Sequence, residues 1–287
     1  MDIKTVGVIG GSGLYEMEEL TDVRFVHVET PWGRPSDDFL VGNLDDTRMI
    51  FLPRHGRGHR IMPSEINFRA NIYGMKKLGV EWIISVSAVG SMKQEIAPGH
   101  VVIPSQFFDH TKKRASTFFG DGIVAHVSMA DPVCSVLSDV LYGASRKSGA
   151  TTHKGGTYIC IEGPQFSSRA ESNIYRKWGV DVIGMTNMPE AKLAREAEIC
   201  YATLALSTDY DCWHDGHADV TVDKIIETLT KNVELARRII KEAVPMIPEK
   251  RMCACSNALR DAIITTKGAI SEEAKKRLNI LIERYVR

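Results

Sequence analysis

The strongest constraint on the fold is an alternation that runs the length of the chain. Short apolar runs, each closed by Gly, Pro or a polar turn, alternate with stretches whose apolar residues recur at helical spacing. That pattern predicts an α/β fold. Strands are expected at 5–9, 49–52, 82–87, 100–103, 157–161, 180–185 and 201–208. Helices are expected where caps and periodicity coincide. Asp131 and Pro132 read as an N-cap and first helical residue, with Val133, Val136, Leu137, Val140 and Leu141 on one face. Ser168 and Glu171 make a capping box, and Gly179 stops the helix that follows. Val222, Ile225, Ile226, Leu229 and Val233 mark a further amphipathic helix, ended by Pro245 and Pro248, and a last helix is expected over 271–285. No repeat or low-complexity linker divides the chain. It reads as one domain over 1–248 with an extension over 249–287 that packs on the same domain.

Composition excludes several classes of function. With 44% hydrophobic residues over 287 positions, the chain can bury a large core without disulfides or metals. Lys+Arg and Asp+Glu both number 36, so no one-signed field exists to recruit nucleic acid or an anionic membrane. No stretch approaches the roughly 20 apolar residues that cross a bilayer. Residues 1–5 carry no secretory or transit signature, which points to the cytoplasm. The six cysteines lack C-x-x-C spacing and read as buried thiols, except that Cys253-Ala-Cys255 is open to redox chemistry or disulfide formation.

The candidate chemistry sits in loops after the apolar runs. Gly10-Gly11-Ser12-Gly13 can bring backbone N–H groups and the Ser12 hydroxyl close to an anion. A dinucleotide fingerprint is disfavoured, because Glu16 occupies the third glycine position and would repel a pyrophosphate. Arg54 and His55, among the arginines and glycines of 53–60, offer a second wall for an oxyanion, the guanidinium through bidentate hydrogen bonds. Zinc on His55 and His59 lacks further ligands nearby. Small residues with hydroxyl and backbone donors close two more strands, Ser87 and Ala88 on one, Met185 and Thr186 on the other. Asp209 and Asp211, two apart after an apolar strand, are expected to present both carboxyls to one ligand. Mutual repulsion would hold a proton on one of them near neutral pH, available to a leaving group.

Six segments together resemble the methylthioadenosine phosphorylase branch of the purine nucleoside phosphorylase family. They are G-V-I-G-G-S-G-L at 7–14, P-R-H-G-R-G-H at 53–59, S-A-V-G-S at 87–91, E-G-P-Q-F-S-S-R-A-E-S at 162–172, M-T-N-M-P-E at 185–190 and S-T-D-Y-D-C-W at 207–213. The resemblance implies a single α/β domain with a central mixed, partly barrel-like sheet flanked by helices. It implies a pentosyltransferase that splits S-methyl-5'-thioadenosine with inorganic phosphate as co-substrate, without metal or organic cofactor. A 6-oxopurine nucleoside phosphorylase is the near alternative, disfavoured because Asn is expected there in place of Asp209. Phosphate would lie among Ser12, Arg54, His55, Ser87, Ala88 and Thr186, and ribose against Met185. Adenine would stack near Phe166 and be read by Ser167, Asp209 and Asp211, with Asp209 the proton donor. Val222 and Ile225 would touch the methylthio group, and His126 would come from a neighbouring subunit of a trimer or dimer of trimers. Cysteines near the C-terminus would form disulfides, as in thermophile-like members, with any pairing of Cys134, Cys200 or Cys212 open.

Overall fold

The computed structural model describes residues 3–214 and 222–286, with the side chains of Ser12 and of 222–230 left out. Eleven strands and six α-helices follow one another as β1 (Thr5–Gly10), β2 (Thr21–Val26), β3 (Phe39–Leu44), β4 (Thr47–Pro53), α1 (Phe68–Lys77), β5 (Trp82–Ser91), β6 (Val101–Ile103) and β7 (Gln106–His110). Then come α2 (Ser135–Lys147), β8 (Thr152–Lys154), β9 (Thr157–Ile161), α3 (Arg169–Lys177), β10 (Val182–Gly184), α4 (Glu190–Glu196), β11 (Cys200–Asp209), α5 (Val222–Met246) and α6 (Glu272–Val286).

All strands join one mixed sheet that branches at β5. One path runs β2-β3-β4-β1-β5-β10-β9-β7, while β11 also pairs with β5 and leads through β6 to β8. β1, β4, β5 and β11 run parallel, which brings their C-terminal ends to one edge. β1 leaves β5 at Ser85, but β11 and the antiparallel β10 continue the pairing out to Gly90 and Ser91. For that reason β5 outruns the 82–87 expected of it, and Ser87 lies within the strand rather than at its close.

Alternate strand residues feed two cores, which is why the strands read as nearly unbroken apolar runs. Ile9, Ile50, Leu52, Ile83 and Tyr201 pack with α1, α4 and α6 on one face. Val6, Val8, Met49, Phe51, Ile84 and Leu204 pack with α2 and α5 on the other. A smaller cluster joins Ile159, Ile161 and Ile183 to Tyr175 of α3.

Boundaries differ from expectation where local signals compete with packing. Helix α2 starts at Ser135 with Cys134 as its N-cap, three residues after the Asp131-Pro132 signal. Cys134 N–H donates instead to the Tyr201 carbonyl of β11, which holds the approach extended. The Ser168–Glu171 capping box forms as read. Pro245 lies in the last turn of α5, which ends one residue later. The strands β2, β3, β7 and β8 went unread, because they are exposed, short or interrupted by polar residues. No described helix is long and apolar enough to cross a membrane.

At the end of α4, Glu196 is 5% exposed and accepts hydrogen bonds from the Thr117 hydroxyl and the Phe118 N–H, both at 2.7 Å. Burial pushes its carboxyl up to about 7. Its acid is thus easier to protonate folded than unfolded. Stability therefore falls as pH rises from about 4.5 to about 7 and levels off beyond. Glu196→Gln keeps an acceptor for the Phe118 N–H and reverses the other bond, its NH2 donating to the Thr117 hydroxyl oxygen. It is expected to stabilise the chain by about 2–3 kcal/mol at pH 8 and little at pH 5. Urea midpoints at the two pH values check this, and equal destabilisation at both would refute it.

Candidate functional site

The edge formed by the ends of β1, β4, β5 and β11 collects most of the residues singled out from sequence. Ser87 Oγ lies 2.9 Å from Thr186 Oγ1 and 3.0 Å from the Tyr158 hydroxyl, so the two small-residue segments meet. Burial pushes the Tyr158 phenol up to about 12 and keeps it a neutral hydrogen-bonding group. Ala88 is exposed next to Ser87. The close fit here depends on Gly184, where a Cβ would fall 1.9 Å from the Tyr158 oxygen. Ser12 follows the end of β1, its side chain outside the described residues.

Arg54 departs from the open wall expected of it. The residue is 2% exposed, and its Nε and Nη2 grip Glu190 side-on at 2.8 and 3.0 Å. Nη1 donates to the Val86 carbonyl, and Nη2 also reaches the Ser85 hydroxyl and the Ile9 carbonyl. The bidentate fork is therefore occupied from within the protein. A carboxylate that arrives with α4 has the same geometry as a phosphate edge and wins by proximity. Burial pulls the His55 imidazole down to about 4. Its Nδ1 donates to the Ile61 carbonyl at 2.8 Å, leaving Nε2 unprotonated and able to accept from a phosphate hydroxyl.

Asp209 and Asp211 come together, but not by alternation along a strand. β11 ends at Asp209, Tyr210 turns the chain, and Asp211 opens a 3-10 turn with φ of 52°. The strand argument fails because a bulge between Ser207 and Asp209 ends the regular pairing with β5. Asp209 Oδ1 accepts the Asp211 N–H at 2.7 Å, and Oδ2 accepts the Thr208 hydroxyl at 2.6 Å. Burial nevertheless raises the pKa of Asp209, and the charge of Asp211 adds to the rise. Asp211 is raised by burial as well. Gly90 of β5 makes room for the pair, since a Cβ there would lie 3.0 Å from Asp209 Oδ1 and 3.4 Å from Asp211 Cβ.

Beside this edge opens a cavity of about 330 Å³ whose lining includes His110, Ile161, Gly163, Phe166, Ser167 and Tyr175. Phe166 is 55% exposed and free to stack on a planar ligand. Among the described residues the Ser167 hydroxyl is buried without a hydrogen-bond partner. Met185 lies against Gly163, where φ is 67° and a Cβ would meet its sulfur at 2.5 Å. His126 is elsewhere, its N–H bound to the Ala262 carbonyl in the C-terminal connection. The Val222 and Ile225 side chains lie outside the described residues.

Two organising residues escaped sequence reading. Arg114, its side chain 1% exposed, donates to the carbonyls of Met185, Met188, Ile161 and Glu162 and so ties the 185–188 loop to the end of β9. It follows Lys112 and Lys113, a run that reads as solvated. Glu190 belongs to a motif quoted above, but nothing local marks it as the partner of an arginine 136 positions away.

Residues 5–245 match the phosphorylase superfamily. The chain is 65% identical over 284 residues to the S-methyl-5'-thioadenosine phosphorylase of Geobacter sulfurreducens, covering 99% of each. It is 57% identical to that of Koribacter versatilis, covering 98% of this chain and 96% of the relative. Among solved structures, a methylthioadenosine phosphorylase from an antarctic soil metagenomic library superposes with a TM-score of 0.94 at 52% identity, covering 98% of this chain and 100% of that one. A mutant adenosine/methylthioadenosine phosphorylase of Schistosoma mansoni, solved in complex with methylthioadenosine, superposes at 0.83 with 36% identity, covering 90% and 96%.

Proposed function

The chain belongs to the phosphorylase superfamily, and from that premise we propose that it catalyses the reversible phosphorolysis of S-methyl-5'-thioadenosine to adenine and 5-methylthioribose 1-phosphate. The observation that carries this reading is the placing of a half-buried carboxyl of raised pKa, Asp209, one strand away from Ser87, whose hydroxyl meets that of Thr186. An acid for the leaving base and donors for the attacking anion thus share one sheet edge.

In this proposal phosphate is held by the Ser87 and Thr186 hydroxyls, the Ala88 backbone, His55 Nε2 and the Ser12 loop. Arg54 stands behind Ser85 and contributes through position rather than through its engaged fork. Met185 supports the ribose. Adenine enters the cavity against Phe166, with Ser167, Asp209 and Asp211 reading its edge. The C1'–N9 bond breaks as a phosphate oxygen bonds C1' from the opposite face. Asp209 gives its proton to N7, so that adenine leaves neutral. Positioning and electrostatics supply the rest of the acceleration, and no metal or organic cofactor takes part. Val222 and Ile225 receive the methylthio group. His126 is donated across an interface of a trimer or dimer of trimers. The protein serves purine and methionine salvage in the cytoplasm, with 1–248 as catalytic domain and 249–287 as extension.

Initial rates on methylthioadenosine, adenosine and methylthioinosine, with and without phosphate, test the reading. Adenine and a sugar 1-phosphate are expected from methylthioadenosine only when phosphate is present. Failure to release adenine, or release at an equal rate without phosphate, would overturn it.

A further inference from the structure

Far from the site, four cysteines from three parts of the chain converge. Cys134 is the N-cap of α2, Cys200 opens β11, and Cys253 and Cys255 belong to the connection before α6. Their sulfurs all lie within 4.8 Å of one another, and three of the four residues are buried. Cys253 Sγ is 3.8 Å from Cys134 Sγ and 3.2 Å from Cys200 Sγ, contacts that bridge 119 and 53 positions of sequence. All four are free thiols in this structure.

We propose that Cys134, Cys200, Cys253 and Cys255 form a closed structural site for one zinc ion. Four thiolates at about 2.3 Å from zinc stand about 3.8 Å apart along the edges of a tetrahedron, close to the spacing found here. A disulfide would draw two sulfurs to about 2.05 Å and leave the other two as a separate pair. Here Cys253 is near both Cys134 and Cys200, and all four sulfurs lie within 4.8 Å of one another. A divalent cation lets the four thiols release their protons, giving four S–Zn bonds and no redox change.

The site has no part in the chemistry, for Cys200 and Asp209 are the opposite ends of β11. Its consequence is mechanical. It pins the chain after α5 to the start of α2 and to β11, and so fixes where the segment leading to α6 begins.

The test uses the full chain, expressed with zinc in the medium and purified under reductant. Metal analysis is expected to give about one zinc per chain. Replacing zinc with cobalt should produce the sulfur-to-metal charge-transfer band and visible absorption of a tetrahedral thiolate site. Cys253→Ser with Cys255→Ser should cut bound zinc below about a tenth of an equivalent. Chelation of the wild-type chain should lower Tm by about 5 °C or more. Wild-type protein with no stoichiometric zinc and no cobalt spectrum would overturn the proposal whatever the fate of the variant. So would a thiol titration of the denatured chain that finds two free thiols rather than six, since the four would then be disulfides.

Discussion

Asp209→Asn is expected to lower kcat/KM for methylthioadenosine by about 10²- to 10⁴-fold at neutral pH, the usual worth of a positioned general acid. Both carboxyl oxygens already accept hydrogen bonds, which favours the anion, yet burial outweighs them and raises the pKa. A carboxyl so placed holds its proton to a higher pH than an exposed one. The wild-type rate should therefore fall as pH rises through the raised pKa, and that limb should vanish in the Asn variant. The amide keeps the shape but cannot give up a proton. It can, however, donate to a purine O6, which a carboxylate cannot. Selectivity for methylthioadenosine over methylthioinosine should shrink accordingly. An unchanged ratio, with the pH limb intact, would remove Asp209 from both roles.

The legibility of this site differs residue by residue. Small hydroxyl residues after apolar runs were readable because parallel strands buried on both faces show as unbroken apolar stretches, and Ser87 and Thr186 do meet. The proximity of Asp209 and Asp211 was also readable, but its cause was not. A turn and a positive φ at Asp211 bring them together, and these depend on how β11 leaves β5. Arg54 was legible as a cation and not as a buried one, because its environment is set by α4, far along the chain. Edge strands such as β2, exposed along nearly its whole length, carry no apolar signal to read. The cysteine cluster shows the same limit. Cys253 and Cys255 advertise themselves by spacing, whereas Cys134 and Cys200 join them only through the packing of α2 and β11.

Glu190→Gln is expected to cost about 3–5 kcal/mol of stability, the penalty for orphaning a buried charge. Glu190 is fully buried and Arg54 nearly so. Glu190 Oε1 accepts from Arg54, Ser85 and Tyr201, while Oε2 takes the Arg54 Nε–H. An amide placed here can keep the Oε1 contacts, but its NH2 then faces the Nε–H donor and the guanidinium charge stays uncompensated. Burial alone would pull the Arg54 pKa down, but the Glu190 charge and hydrogen bonds, with Tyr201 and Tyr158, together outweigh it and the guanidinium is held above its ordinary value. No release by deprotonation is available. Urea midpoints at constant m measure the loss. Arg54→Met should also destabilise, and the double variant should lose less than the two single losses added together, because the second change removes the charge that the first left unpaired. Strict additivity would mean that the side-on pair does not exist in solution. The activity of the double variant separates scaffold from chemistry. If Arg54 only shapes the β4 loop, phosphate KM should recover together with stability. A phosphate KM that stays raised in a stable double variant would instead show that the guanidinium charge is felt by the anion.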